Sequence, residues 1–272
     1  MSTPVSSPAW PHSDLIQSPW FTALHATIDT VAWSHFPDQL AWDNLLSAHA
    51  PRNAQDLPIR FDLSGVDEQS GYEQRIWETG TVATRPDNWH DAFNALCWLA
   101  WPKTKAALNA LHIRELAEQA GPVRSRLRDA ATLFDESGLV LACADNDVAA
   151  MLKAHDWHAA FVTQRASWGR TLAPLAIGHA LLEKGLAPFK GIVARTMIMP
   201  VEPSWFDQLP TVRQAVLDDR IAQAITIDAV DFMHQLQPLP VLGIPGWWPV
   251  QDAAFYADQG HFRPKRSVVR RV

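Results

Sequence analysis

Cysteine is scarce in this chain: Cys97 and Cys143 are the two in 272 residues, both in apolar stretches and without metal-ligand spacing. That excludes a zinc cysteine set and leaves reduced, buried thiols as the expectation. Long apolar runs are missing too, since no stretch approaches the roughly 20 residues that a membrane helix needs. The opening MSTPVSSPAWPHSDLIQSPWF has no basic start followed by an apolar run, so a cytoplasmic location without a secretory signal is expected. Positive charge is in deficit, with 23 Lys and Arg against 29 Asp and Glu and a formal net charge of −6. Nucleic acid is therefore a poor candidate partner. A phosphate-cradling glycine loop, a nucleophile elbow and a dinucleotide fingerprint are all absent. Tyrosine occurs twice, whereas there are 13 Trp. Such rings bury area and donate one hydrogen bond, and most are expected in the core.

What is present reads as one globular domain, 47% apolar and 19% charged. Residues 1–19, rich in Pro and Ser, are expected to form an arm, 20–264 a single domain, and 265–272 a basic tail. Helical signals run over 19–31 and 37–49. Ile59 to Leu63 alternates like a strand ended by Ser64-Gly65, and Tyr72 to Trp77 reads as a short strand or a helical turn. Asp87 or Asn88 caps a helix from Trp89 to Ala100 with an apolar stripe at 89, 93, 96, 97 and 100. Pro102 begins a second helix that Gly121-Pro122 stops. RLRDAATLFDESGLVLACA reads as a β-hairpin: Thr132 to Phe134, a turn over 135–138 with Gly138 at positive φ, then Leu139 to Ala144. A helix capped by Asp145 or Asn146 follows, with helix continuing over Trp157 to Arg165. Another helix is expected from Pro174 to Gly185, a strand from Ile192 to Met199, a helix from Pro210 to Ile225, and irregular chain from Pro238. The order lacks regular strand–helix alternation. It predicts an α+β fold, helix-rich, with a small hairpin-containing sheet and a long irregular C-terminal segment.

Chemistry concentrates in TRPDNWHDAFNALCWLAWPKTKAALN, where ionisable groups interrupt core-like stretches. His90 and Asn94 share a helical face and Asp91 lies beside them, a set suited to general-base work or to an oriented metal ligand. The alternative is a helix-start cluster in which Asp91 meets the dipole. In GHALLEK, His179 and Glu183 stand four apart, spaced for two metal ligands or for a His and its orienting carboxylate, although this spacing is common on solvated faces. Asp135 and Glu136 are acid partners or plain turn formers. Arg85, Lys103 and Lys105 stand at helix starts, where a cation opposes the dipole unless an anion is bound, and Asn109 lies one turn on from Lys105. The stiff PLPVLGIPGWWP presents Trp247 and Trp248 either as a pocket wall or as core. HDWH at 155–158 reads as incidental. The final ten residues hold Arg263, Lys265, Arg266, Arg270 and Arg271 with no acid.

YEQRIWETGTVATRPDNWHDAFNALCWLAWPKTKAALN, TLFDESG, GHALLEK and PLPVLGIPGWWP, in that order, resemble the bacterial family catalogued as domain of unknown function 3025, from about Gly71 to Pro264. The matching positions are Tyr72, Glu73, Arg75, Arg85, Trp89, His90, Asp91, Asn94, Lys103, Lys105, Asn109, Asp135, Glu136, His179, Glu183, Lys184, Trp247 and Trp248, and the segment around His155 is not among them. The resemblance implies a proteobacterial, cytoplasmic protein and supplies no activity. From the residues, the leading expectation is a hydrolase or transferase acting on an anionic small molecule or phosphoester, with a divalent metal as the candidate cofactor. The rival is a non-catalytic binding or assembly protein whose polar residues knit helices together.

Overall fold

In the computed structural model, residues 11–31, 33–64, 71–118 and 123–265 are described. The first ten residues of the expected arm, most of the expected tail, Gly65 and Gly121-Pro122 lie outside them. The helices and strands run α1 (His12–Gln17), α2 (His25–Ile28), α3 (Gln39–His49), β1 (Arg60–Asp62), α4 (Tyr72–Thr79), β2 (Thr81–Ala83), α5 (Trp89–Ala100), α6 (Pro102–Ala117) and α7 (Arg126–Ser137). They continue with β3 (Gly138–Cys143), α8 (Asn146–Ala154), β4 (Leu172–Ala176), α9 (His179–Gly185), β5 (Val193–Pro200), α10 (Pro210–Ile227), α11 (Ala229–Gln235), β6 (Gln237–Pro240) and α12 (Ala253–Tyr256). The fold is α+β, as expected. No described helix is long and apolar enough to cross a membrane.

Four strands form a mixed sheet in the order β4-β3-β5-β6, with β3 parallel to β5 and the outer pairings antiparallel. β3 is buried along its whole length. That explains its unbroken apolar run, because helices cover both faces of the sheet. Leu139 and Leu141 pack with α5 and α9, while Val140 and Ala142 pack with α6, α7, α10 and α11. β1 and β2 form a separate parallel pair beside α4.

Several sequence expectations are corrected here. Residues 126–137 form α7 rather than the first arm of a hairpin: Ser125 caps the Arg128 N–H, and Leu127, Ala130, Ala131 and Phe134 recur at helical spacing against the core. Gly138 has φ −70°, so it is needed for closeness and not for a turn; a Cβ there would stand 2.2 Å from the Phe134 carbonyl oxygen. Pro174 sits within β4, an edge strand where its missing N–H costs no ladder bond, and the helix starts later, at His179. Of the two forms expected for Tyr72 to Trp77 the helical one is found, residues 12–17 of the expected arm form α1, and β6 interrupts the expected irregular segment.

Candidate functional site

The site forms where the start of α5, the end of α7 and the start of α9 meet. Asn88 caps α5 by accepting the Asp91 N–H at 3.0 Å, which fixes His90 in the first turn. Gly178 sets the other side. A Cβ there would fall 2.4 Å from the Gly138 nitrogen and 2.5 Å from the Glu136 carbonyl oxygen, so only glycine lets the start of α9 press on the end of α7. Asp135 and Glu136, in the last turn of α7, are thereby brought to His179.

The two imidazoles meet edge to face, ring centroids 4.4 Å apart at 80°, with Nε2 to Nε2 at 3.1 Å. His90 Nδ1 lies 3.1 Å from Glu183 Oε2. A carboxylate accepts, so His90 carries its proton on Nδ1. His179 Nδ1 faces Asp135 Oδ2 at 3.7 Å without forming a hydrogen bond, and His179 Nε2 is 3.7 Å from Glu136 Oε1. Ligand atoms of His90, Glu136 and His179 all lie within 4.8 Å of one another. Burial pushes His179 down to about 4, so it is neutral near pH 7. Burial raises Glu136. For Asp135, burial pushes upward, but Lys105 and His179 outweigh it and hold the carboxyl below its ordinary range.

The three candidate ligands line a cavity of about 280 Å³, together with Tyr72, Glu73, Ala83, Arg85, Asp91, Asn94, His112, Thr132 and Asp135. At its mouth, the Arg85 guanidinium grips Asp91 through Nε at 2.8 Å and Nη2 at 2.9 Å. Burial alone would raise Asp91, and these bonds reverse the shift. On the wall, Glu73 accepts from Asn109 Nδ2 at 2.7 Å and stands 3.9 Å from His112 Nε2. Burial lifts Glu73 to about 7 and lowers His112 to about 4.

The sequence candidates therefore separate. His90, Asp91, Asn94, Asp135, Glu136, His179 and Arg85 converge on one cavity, and Glu183 joins through His90 rather than as a fellow ligand of His179. Asn94 and Lys105 are structural: Lys105 Nζ donates to Asn94 Oδ1 at 2.8 Å and to Asp135, and Asn94 Nδ2 donates to Tyr72 at 2.7 Å. The expected anion site at the start of α6 is filled by the chain itself. Asp218 accepts the Lys103 and Thr104 N–H groups at 3.0 and 2.8 Å, and Lys103 Nζ pairs with Asp219 at 2.7 Å. Neither Lys103 nor Lys105 lines the cavity. Trp247 and Trp248 line another surface hollow, with Trp20 packed at a tilt against Trp247 and donating to its carbonyl at 3.0 Å, so they do not close this one.

Glu73, His112 and Thr132 are site-lining residues to which sequence reasoning gave no role. His112 was within reach, because Lys105, Asn109 and His112 form one polar stripe on α6. Thr132 needed the helical reading of 126–137, which puts it one turn before Asp135. No curated protein and no solved structure matches the chain. A family described as protein of unknown function (DUF3025) matches residues 59–266. All the converging residues fall within that span, and the chain belongs to the DUF3025 family.

Proposed function

We propose that this protein is a metal-dependent hydrolase of a small anionic substrate, with His90, His179 and Glu136 as the metal ligands. One observation carries the reading: the 3.1 Å contact between two Nε2 atoms whose rings each turn Nδ1 toward a carboxylate. With the proton of neutral His90 fixed on Nδ1 by Glu183, His90 Nε2 bears a lone pair. If His179 also keeps its proton on Nδ1, two lone pairs face each other; if the proton moves to Nε2, a lone pair faces Asp135. A cation between the rings removes both conflicts. A proton on His90 would do so as well, but it would not need the third donor that Glu136 brings.

Two imidazoles and one carboxylate suit Zn²⁺ or a similar borderline ion and leave a position open toward the cavity. Such an ion lowers the pKa of water and polarises an ester oxygen. Arg85 is positioned for a substrate anion at the mouth, and its pairing with Asp91 holds the guanidinium in place. Glu73 exchanges its proton near neutral pH, as a residue that takes or returns a proton should.

Elemental analysis of tag-free protein purified without chelators, before and after loading with Zn²⁺, tests the reading. About one ion per chain is expected, lost in both His90→Ala and His179→Ala. Wild-type protein that stays metal-free after loading would end it.

A further inference from the structure

We propose that a second cavity, sharing no residue with the histidine site, binds a nucleotide through its phosphate and its base. It encloses about 700 Å³, within the roughly 300–1,000 Å³ of small-molecule sites. Its floor is the β5–β6 ribbon, which runs on past the sheet: β6 pairs from Val193, whereas β3 joins β5 only from Arg195. Alternate residues of a strand share a face, so Val193 and Arg195 point outward while Ala194 and Thr196 are buried. Pro240 and Pro238 stand opposite Val193 and Arg195. The result is an apolar floor bearing one guanidinium.

Arg195, Arg263 and Lys265 line the cavity, and no carboxylate does. Asp258, close by in sequence, is already held by Lys190 at 2.8 Å. Arg263 and Lys265 donate to the carbonyls of Gly260 and Lys153, each at 3.1 Å, which leaves their charge uncompensated by any acid of the lining. Three such cations around one hollow favour a bound anion. His261, on the same wall, adds an unsatisfied donor. It is 5% exposed, its Nδ1 accepts the Gly191 N–H at 3.3 Å, and the Nε2–H this leaves has no partner among the described residues. A buried donor of that kind is costly until an acceptor arrives.

A flat ring has its own place. Phe161, Trp157 and His155 form a stack, with centroid spacings of 6.0 and 4.6 Å and tilts of 21° and 27°. His155, half-buried on the cavity wall, ends the stack and is held there at φ 59° in the cap of α8. Left-handed backbone is an ordinary way to end a helix, and the His155 N–H bonded to the carbonyls of the last turn of α8 fixes the ring in this place. A base laid on His155 would continue the stack.

Titration calorimetry in EDTA, using ADP, adenosine and inorganic phosphate as probes, tests the proposal. ADP is expected to bind wild type and His90→Ala alike, and adenosine and phosphate at least about tenfold more weakly. Arg195→Ala, Lys265→Ala and His155→Ala should each weaken ADP on the order of tenfold. Arg195 and Lys265 are exposed, and circular dichroism checks that the variants fold. For any that does not, the salt dependence of ADP binding to wild type substitutes: affinity must fall as ionic strength rises. No heat at millimolar ADP, variants or salt without effect, or adenosine or phosphate binding as tightly as ADP would overturn the proposal. Loss of binding in His90→Ala would do the same by moving the nucleotide to the histidine cavity.

Discussion

Glu73→Gln isolates one charge whose cost depends on pH. Burial raises this carboxyl from 4.5 to about 7, against the opposing help of Asn109, Lys105 and Arg124 and with Asp135 adding to the rise. Because the folded value lies above the unfolded one, the native state holds its proton more tightly. The group's contribution to stability is therefore full below about 4.5 and is lost as pH rises through about 7. At about 1.36 kcal/mol per pKa unit, the loss comes to somewhat over 3 kcal/mol, an upper bound because a quarter of the side chain is exposed. Gln keeps an oxygen for Asn109 and removes the titration. Urea denaturation of both proteins in EDTA, followed by tryptophan fluorescence from pH 4 to 8.5, should show the variant gaining on wild type by about 2–3 kcal/mol across the range. Most of the gain should fall between pH 4.5 and 7. A difference that stays flat with pH, or grows toward acid, would refute the assignment of a raised, buried carboxyl.

Lys105→Met should cost about 3–5 kcal/mol at pH 7, since it leaves Asp135 buried without its main partner; adding Asp135→Asn should restore part of this, and a loss below about 1 kcal/mol in denaturant melts would contradict the pairing. Gly178→Ala should cost about 1–3 kcal/mol and weaken metal binding together, because the new methyl meets the backbone of Gly138 and Glu136. Thermal melts and metal titration read both effects, and an unchanged melt would refute the close approach. Glu183→Ala should lower metal affinity about 10–100-fold while leaving the stability of the metal-free protein nearly unchanged, as expected of a residue that orients a ligand. Competition with a chromophoric chelator measures it.

Local signals were legible wherever a single element carried its own instructions. Asn88 and the apolar period fix α5 from Trp89 to Ala100, Asp145 starts α8, Pro102 starts α6, and the apolar run of β5 marks a strand. The polar density around His90 also marks a helix whose His90, Asp91 and Asn94 line the histidine cavity. Signals that two structures share misled: LFDESGLV contains residues that turn a hairpin, yet the helical spacing of Leu127, Ala130, Ala131 and Phe134 prevails because α6, α11 and the sheet bury that stripe.

Chemistry at the site was a matter of tertiary structure. The sequence by itself determined which residues carry ionisable groups and, for α5, α6 and α9 but not for α7, which helical face each occupies, because helix geometry depends only on neighbours a few positions apart. It could not determine that Glu183 would turn to His90, that Asp218 would fill the anion position at Lys103, or that Trp247 and Trp248 would lie elsewhere. The first depends on how α9 packs against α5 and α7 across the close approach at Gly178, between segments about 40 residues apart, the second on α10 lying along α6, and the third on Trp20 meeting Trp247, contacts that exist only once the whole core has closed.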